Sequence, residues 1–294
     1  MDYVKCFTEY LETERHMSEN SFSAYCRDVK EFLSFLFSRG VERPEEAGNT
    51  EIVAYLFSLK NQGKSAATVN RKVAAIRAFY NYLIGAGKIA DNPTLNIKSP
   101  KIQRKDLEYL TIEEVDRILA LPDKTVKGMR DRALLELLYA AGLRVSEAAA
   151  ANVGDVNLRI GLITCSGEHG KARAIPLGRP ARAALEDYIY DGRIKVLREK
   201  EDHGALFLNY SGQRLTRQGV WKIMKEYGGK AGLDKELSPQ ILRNSFAVHM
   251  IQNGADLKSL QEMLGHEDIT ATQIYLSAAK NRIKEVYDRT HPRA

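Results

Sequence analysis

The sequence has little of what builds a disulfide framework, a metal site or a membrane anchor. Its three cysteines lie far apart without a CxxC pair, which predicts reduced thiols. The sequence contains no run of about 18 apolar residues, the length that a membrane-spanning helix needs. The first residues, MDYVKCFTEYLETERHM, carry acids early and lack the apolar core of a signal peptide. With no DxD or HxxxE cluster either, we expect a cytoplasmic protein that binds no membrane, no metal and no cofactor.

Positive charge is present, and it is concentrated in one stretch. The 294 residues carry a net charge of +6, yet residues 60–105 hold 10 Lys or Arg and a single acid. Residues 1–59 hold 6 Lys or Arg and 11 acids. A basic run of this density repels itself unless a polyanion offsets it, and nucleic acid is the usual polyanion. The chain length suggests two domains.

Hydrophobic periodicity predicts a mainly α fold. Apolar residues recur at three- and four-residue spacing through most of the chain, whereas GLITC and ARAIPL, on either side of SGEHGK, predict one hairpin of a small antiparallel β-sheet. The basic, proline-containing stretch NIKSPKIQRKD indicates an extended linker. After it, Thr111 and Glu114 predict a capping box that begins a new helix. We therefore expect a helical domain over 1–97, a linker over 98–108 and a second α-rich domain over 109–294.

Four stretches of the second domain place polar residues in apolar helical contexts. They are AAGLRVSEAAA, SGEHGKAR, SPQILRNSF and LGHEDITATQIY. Each alone is typical of an ion pair, a helix cap or a core position. Together and in this order they resemble the tyrosine recombinase, or phage integrase, family and its Xer-like site-specific recombinases. The resemblance extends to TVNRKVAAIRAFYNYL, similar to the family's SAM-like core-binding domain, and to the closing VYDRTHPRA.

The resemblance implies an enzyme that binds, cuts and rejoins duplex DNA through a 3′-phosphotyrosyl intermediate without a metal ion. Tyr275 would be the nucleophile. Arg144 and Arg243 would bind the non-bridging phosphate oxygens, where planar forks of fixed charge suit a five-coordinate phosphorus. His266 would donate a hydrogen bond to the same phosphate, and Glu147 would orient its neighbours.

The catalytic pattern departs from the family at three positions. Gln240 stands where the family usually has a histidine, and an amide cannot shuttle protons; Asn244 replaces another common histidine. A gapless match of the hairpin puts Glu168 in the place of the lysine that protonates the departing 5′ oxygen. Either Lys171 takes over that role, or the acid is lost and the chain is a cleavage-impaired DNA-binding relative. Gln240 can still donate a hydrogen bond to phosphate.

Binding of a specific DNA site is expected to use cations of the linker and of several helices. The candidates are Lys64, Arg71, Lys72, Arg77, Lys98, Lys101, Arg104 and Lys105, with Arg214, Arg217, Gln218 and Lys222 from a stretch that resembles the family's groove-entering helix. The tail AAKNRIKEVYDRTHPRA resembles a helix exchanged between protomers, which implies a homo- or hetero-tetramer on DNA. Two other functions stay open: a DNA-binding regulator without chemistry and a monomeric, topoisomerase-like nicking enzyme.

Overall fold

The computed structural model describes residues 2–14, 17, 19–101, 106–166, 172–198 and 200–278. The chain divides into two compact units, 1–105 and 106–294, and the division falls inside the segment predicted as a linker. Each unit has its own hydrophobic core. Several predicted features lie outside the described residues: Glu168 and Lys171 in the hairpin, Arg104 and Lys105 in the linker, and the tail from 279. No helix among the described residues is long and apolar enough to cross a bilayer.

The first unit is helical. Its helices are α1 (Tyr3–Glu14), α2 (Glu19–Ser38), α3 (Asn49–Asn61) and α4 (Ala66–Gly85). Helix α4 is central, because Val69, Val73, Ile76 and Phe79 recur at helical spacing and are all buried. Its first turn is closed by the Ser65 hydroxyl, which accepts the N–H of Thr68 at 3.2 Å.

The second unit combines helices with a small sheet, so the predicted fold class is confirmed. Its helices are α5 (Ile112–Leu119), α6 (Val126–Ala141), α7 (Val145–Ala150), α8 (Arg179–Asp187), α9 (Arg193–Leu197), α10 (Arg217–Lys230), α11 (Pro239–Gln252) and α12 (Leu257–Leu264). A π-helical turn, Tyr188–Gly192, joins α8 to α9, and residues 270–278 are helical. The predicted capping box before α5 is present: Glu114 N–H donates to the Thr111 hydroxyl, and Thr111 N–H to the Glu114 carboxylate.

The sheet is antiparallel in the order β1 (Val156–Asn157), β2 (Leu162–Ser166), β3 (Ala172–Pro176). Ile163 lies opposite Ile175, and Cys165 lies opposite Arg173. Side chains alternate between the faces of a strand, so Arg173 shares a face with the buried Ile163, Cys165 and Ile175. The sheet thus directs an arginine into the unit.

Two left-handed glycines turn the chain immediately before predicted catalytic residues. Gly142 ends α6 with φ 56°, two positions before Arg144, and a Cβ there would lie 2.4 Å from the Phe246 ring. Gly265 ends α12 with φ 63°, directly before His266. A side chain is strained at these φ values, so glycine allows both tight turns.

Candidate active site

A cleft of about 350 Å³ opens in the second unit where several helix ends meet. It is lined by the turn that leads into α7, by α10 and α11, and by the chain that follows α12. Its lining includes five residues of the predicted catalytic set: Arg144, Gln240, Arg243, His266 and Tyr275. The fold therefore brings together side chains that are far apart in the sequence.

Arg144 and Glu147 are positioned by the start of α7. Arg144 precedes the helix, and its backbone N–H donates to Glu147 Oε2 at 2.7 Å, as in a capping box. Its Nη1 donates to Glu147 Oε1 at 3.3 Å. Burial opposes ionisation of Glu147, but hydrogen bonds from Arg173 and from the Arg144 N–H hold the pKa of this carboxyl below its usual value. Glu147 is therefore a fixed anion that orients arginines.

Arg243 is buried on α11, with 3% of its surface exposed. Its Nη1 donates to Gly142 O at 2.6 Å and its Nη2 to Leu264 O at 2.7 Å. Burial, followed by repulsion from Arg144, lowers the pKa of Arg243 to about 10, so the guanidinium keeps its charge at neutral pH. A fixed, partly desolvated cation stabilises developing negative charge more strongly than a solvated one.

The carboxyl end of α12 holds three guanidinium groups. The last carbonyls of a helix have no partner within it and carry partial negative charge. Three successive carbonyls each accept one arginine: Met263 O from Arg173 Nε at 2.7 Å, Leu264 O from Arg243 Nη2 at 2.7 Å, and Gly265 O from Arg144 Nη2 at 3.2 Å. Because the three cations share one carboxylate, Glu147, the cleft keeps an excess of positive charge suited to a phosphate.

His266 is a neutral imidazole held from both ring nitrogens. Arg243 Nη2 lies 3.0 Å from His266 Nε2, and an arginine can only donate, so Nε2 is the acceptor. His266 Nδ1 then donates to the Thr272 hydroxyl at 3.0 Å. Burial and the charges of Arg243, Arg144 and Arg173 lower the pKa of His266 to about 4. The predicted donation to phosphate from Nε2 therefore requires His266 to gain a proton or change tautomer when the anion arrives.

Tyr275 is buried behind this histidine. It is 1% exposed, and its ring stacks on His266 with a centroid separation of 6.3 Å and an interplanar angle of 12°. Burial raises the pKa of the Tyr275 phenol, although Arg243 and Arg144 act in the opposite direction. The tyrosine is thus protonated at rest, and its proton must leave during an attack on phosphorus.

Gln240 and Asn244 form an amide pair beside that hydroxyl. Asn244 Nδ2 donates to Glu108 O at 2.9 Å, which turns Oδ1 toward the cleft. That oxygen accepts Gln240 Nε2 at 2.8 Å and the Tyr275 hydroxyl at 3.4 Å. Gln240 is exposed to the cleft while Asn244 is buried. Gln240 therefore keeps a donor at the cleft, and Asn244 provides an acceptor for the nucleophile.

Lys72 was expected to contact phosphate, and the structure contradicts this interpretation. Lys72 is 3% exposed, and its Nζ donates to Asp28 at 3.0 Å and Glu31 at 2.8 Å. Arg71 also forms an ion pair with Asp28, although its side chain stays partly exposed. A buried carboxylate needs a cation beside it, so the basic pattern of α4 serves the core as well as the surface.

Replacing Lys72 with methionine should therefore lower stability and leave DNA affinity nearly unchanged. Loss of one partner from a buried ion network typically costs about 3–5 kcal/mol; because Arg71 still neutralises Asp28, we expect about 1–3 kcal/mol. The matched control is Lys98→Met, whose exposed side chain should affect unfolding by less than about 0.5 kcal/mol and weaken binding. Urea unfolding measures the stability, and DNA binding as a function of salt measures the affinity. A Lys72→Met variant that is as stable as the wild type but binds DNA more weakly would show that Lys72 contacts DNA after all.

The other predicted DNA contacts fall into three groups. Exposed and available are Lys64, Lys98, Lys101, Arg217, Gln218 and Lys222. Arg77 donates to Ile97 O and so ties the chain after α4 to that helix. Arg214 lies outside α10, and its guanidinium donates to the carbonyls of residues 149–151 and to Asn152 Oδ1, so it caps the end of α7. Arg214 thus precedes the helix instead of lying on it, and its contact with DNA stays a prediction.

The sequence did not single out two residues of the site: Arg173, which bonds to Glu147, and Trp221, which lines the cleft. Arg173 donates through both Nη atoms to Glu147, at 2.8 and 2.9 Å. In the sequence, Arg173 lies two positions before the apolar Ile175 along the predicted strand and so shares its face. An arginine on the buried face of a strand needs a partner, and this pattern could have indicated its role. Trp221, the sole tryptophan, lines the cleft from α10 and is 44% exposed. An exposed indole among cations was a signal too.

Known families match both units. A model of the phage integrase family covers residues 108–282, and a model of the phage integrase N-terminal SAM-like domain covers residues 4–87. The chain is 42% identical to the tyrosine recombinase XerD of Oceanobacillus iheyensis over 292 residues, 99% of this chain and 98% of that relative. It is 41% identical to the tyrosine recombinase XerC of a Roseiflexus species over 277 residues, which are 93% of this chain and 88% of that relative.

Solved structures share the fold. A XerH site-specific recombinase bound to a palindromic difH substrate, in a post-cleavage complex, matches with a TM-score of 0.74 at 20% identity; the match covers 97% of this chain and 93% of that one. The match to the structure of the XerA recombinase covers 100% of both chains at 26% identity, with a TM-score of 0.56. The chain belongs to the tyrosine recombinases of the phage integrase family, enzymes that break and rejoin DNA. The family predicted from the sequence is confirmed.

Proposed function

We propose that this protein is a site-specific recombinase that cuts and rejoins duplex DNA through a 3′-phosphotyrosyl intermediate at Tyr275. The observation that carries the assignment is the meeting of Arg144, Arg243, His266 and Tyr275 at one cleft with an excess of positive charge. We infer that the protein acts in the cytoplasm, in line with the expectation from its sequence.

The chemistry exchanges one phosphoester for another. Tyr275 Oη attacks the phosphorus, the bond to the 5′ oxygen breaks, the phenol loses its proton and the 5′ oxygen gains one. Arg144 and Arg243 present guanidinium forks to the non-bridging oxygens and neutralise the charge of the transition state. Rejoining reverses these steps, because the covalent intermediate conserves the bond. Since arginines neutralise the charge, EDTA should leave cleavage unchanged.

Binding is proposed to rest on phosphate contacts by the exposed cations of both units. The cations are Lys64, Lys98 and Lys101 of the first unit and Arg217 and Lys222 of α10, and the neutral Gln218 of α10 adds a hydrogen-bonding amide. Affinity that depends on such contacts falls steeply with salt. A λ integrase with the same fold was solved as a tetramer on a Holliday junction; we propose a tetramer here as well, of this chain alone or with a second recombinase.

Trapping of the covalent intermediate tests two points together: the proposed function, and whether Lys171 replaces the lysine that the family has at the position of Glu168. The substrate is a nicked duplex carrying the recombination site, selected beforehand from random sequence by binding. We expect a protein–DNA adduct that survives denaturation. Lys171→Ala should slow its formation by about 10²- to 10⁴-fold, the usual loss of a general acid, whereas the control Lys195→Ala, an exposed lysine paired with Asp191, should not.

A different result would favour the second interpretation. If the wild-type protein forms no adduct and Glu168→Lys combined with Gln240→His restores one, the chain is a recombinase-like DNA-binding protein whose proton-transfer groups have been lost. An adduct that EDTA abolishes would contradict the metal-free mechanism.

A further inference from the structure

Arg173 bonds through all three of its guanidinium nitrogens to the groups that hold the cleft arginines. From β3 its Nη1 and Nη2 donate to the two carboxylate oxygens of Glu147 at 2.8 and 2.9 Å, and its Nε donates to Met263 O at 2.7 Å. The side chain is 12% exposed. Two parallel bonds to one carboxylate fix both angle and distance, so Arg173 joins the sheet, α7 and the end of α12 into one frame.

Glu147 is the anion for which the arginines compete. It also accepts Arg144 at 3.3 Å, and Arg243 Nη1 lies 4.0 Å from Oε2. A carboxylate relieved of Arg173 would draw the other two cations toward itself, because a buried charge seeks a partner. Because Arg173 bonds to both oxygens of Glu147, the carboxylate keeps only a longer side-chain bond to Arg144, and Arg243 stays beyond hydrogen-bond distance. The frame thus governs where two phosphate ligands point.

Gly265 extends this frame to the histidine. The Arg173 guanidinium lies so close to Gly265 that a Cβ there would be 2.9 Å from Nη1 and 3.0 Å from Cζ. The next residue is His266, which contacts Arg243 and stacks on Tyr275. The position of the guanidinium therefore also limits where the turn places His266.

We propose that Arg173 is a positioning residue of the phosphate site: by holding Glu147 and the carboxyl end of α12, it sets the spacing of Arg144, Arg243 and His266. This role rests on the proposed recombinase function. Misplacement of catalytic groups by about 1 Å can cost about 10²-fold in rate, so Arg173→Lys and Arg173→Gln should each slow adduct formation by about that factor. DNA affinity should change less than about threefold, since the exposed cations supply most phosphate contacts.

The second unit contains a matched control in Arg193. Its Nη atoms donate to both oxygens of Asp202, and its Nε donates to Ala205 O at 2.9 Å, the same set of bonds in a side chain that is 5% exposed. Among the described residues, its two partners do not contact the phosphate-site arginines, whereas the carboxylate to which Arg173 bonds also bonds to Arg144. Arg193→Lys and Arg193→Gln should lower the melting temperature as the Arg173 variants do and leave the rate of adduct formation unchanged. An equal loss of cleavage in both pairs would reduce Arg173 to an ordinary structural ion pair and overturn the proposal.

Titration of His266 gives a readout that needs no cleavage. The charged or titratable groups that act on it are Arg144 and Glu147 of the α7 turn, Arg173 of β3, Arg243 of α11 and Tyr275. In ¹⁵N-histidine NMR spectra, assigned with His266→Gln, Arg173→Gln should raise the pKa of His266 because it removes a cation. Arg173→Lys should raise it less, and Arg193→Gln should leave it unchanged.

The two measurements separate the proposals. A wild-type protein without an adduct would defeat the recombinase function. A shift of the His266 pKa in Arg173→Lys, which keeps the charge and loses the fork, with no shift in Arg193→Gln, would still establish the frame. Suppose instead that the wild-type protein forms a normal adduct and that the Arg173 variants change neither the pKa of His266 nor the cleavage rate. The proposed function would then be supported, and the positioning role of Arg173 would be contradicted.

Discussion

Tyr275→Phe should abolish the covalent protein–DNA adduct while DNA binding stays near the wild-type level. The substitution removes only the attacking oxygen, and among the described residues that line the cleft Tyr275 is the only tyrosine. Folding should be little affected, because the ring stays buried against His266 and the lost hydrogen bond to Asn244 is long, at 3.4 Å. We expect a cost of about 1 kcal/mol or less. Denaturing gels after incubation with the nicked duplex measure the adduct.

The control for this substitution is Tyr139→Phe. Tyr139 is also a partly buried tyrosine bonded to a side chain of α11, with its hydroxyl 2.9 Å from His249 Nδ1, but it does not line the cleft. It should keep the adduct. If wild-type protein and Tyr275→Phe bind alike and neither forms an adduct, the protein is a DNA-binding regulator. Relaxation of supercoiled DNA by a monomer, unaffected by removal of residues 281–294, would instead indicate a topoisomerase-like enzyme.

Arg243→Gln should reduce the rate of adduct formation by at least about 10³-fold. Loss of one neutral donor from an oxyanion site costs about 10²- to 10³-fold, and Arg243 supplies a charge as well as a fork. Arg243→Lys keeps the charge but loses the planar fork, so its rate of adduct formation should lie between those of the wild type and Arg243→Gln. Both lose bonds to Gly142 O and Leu264 O, so melting temperatures must accompany the rates.

Single-turnover cleavage at saturating protein separates this catalytic loss from weaker binding. Arg182→Lys is a suitable comparison, because Arg182 donates to the backbone carbonyl of Leu158 away from the cleft. A rate for Arg243→Gln within about tenfold of the wild-type rate would mean that Arg243 supports the fold and does not act on the phosphate.

Local patterns in the sequence were sufficient for several features. The capping box at Thr111 and Glu114, the buried stripe of α4 and the hairpin strands all depend on residues near one another in the chain, where periodicity and capping preferences operate. The family was also readable, because its motifs are long and occur in order. The partners of charged residues were not readable: Lys72 and Arg214 have the same local signature as free surface cations, yet each bonds to groups that only the folded chain brings near.

What the sequence determined by itself is thus the helical architecture, the small sheet, the family and five of the residues that line the cleft. What only tertiary structure decided is how their charges are shared. The contacts of Glu147 with Arg173, of Arg243 with Leu264 O and of Asn244 with Glu108 O each join distant parts of the chain. No local propensity encodes such pairings, since a cation's partner depends on which acceptors are buried beside it. The protonation of His266 follows from the same placement of charges.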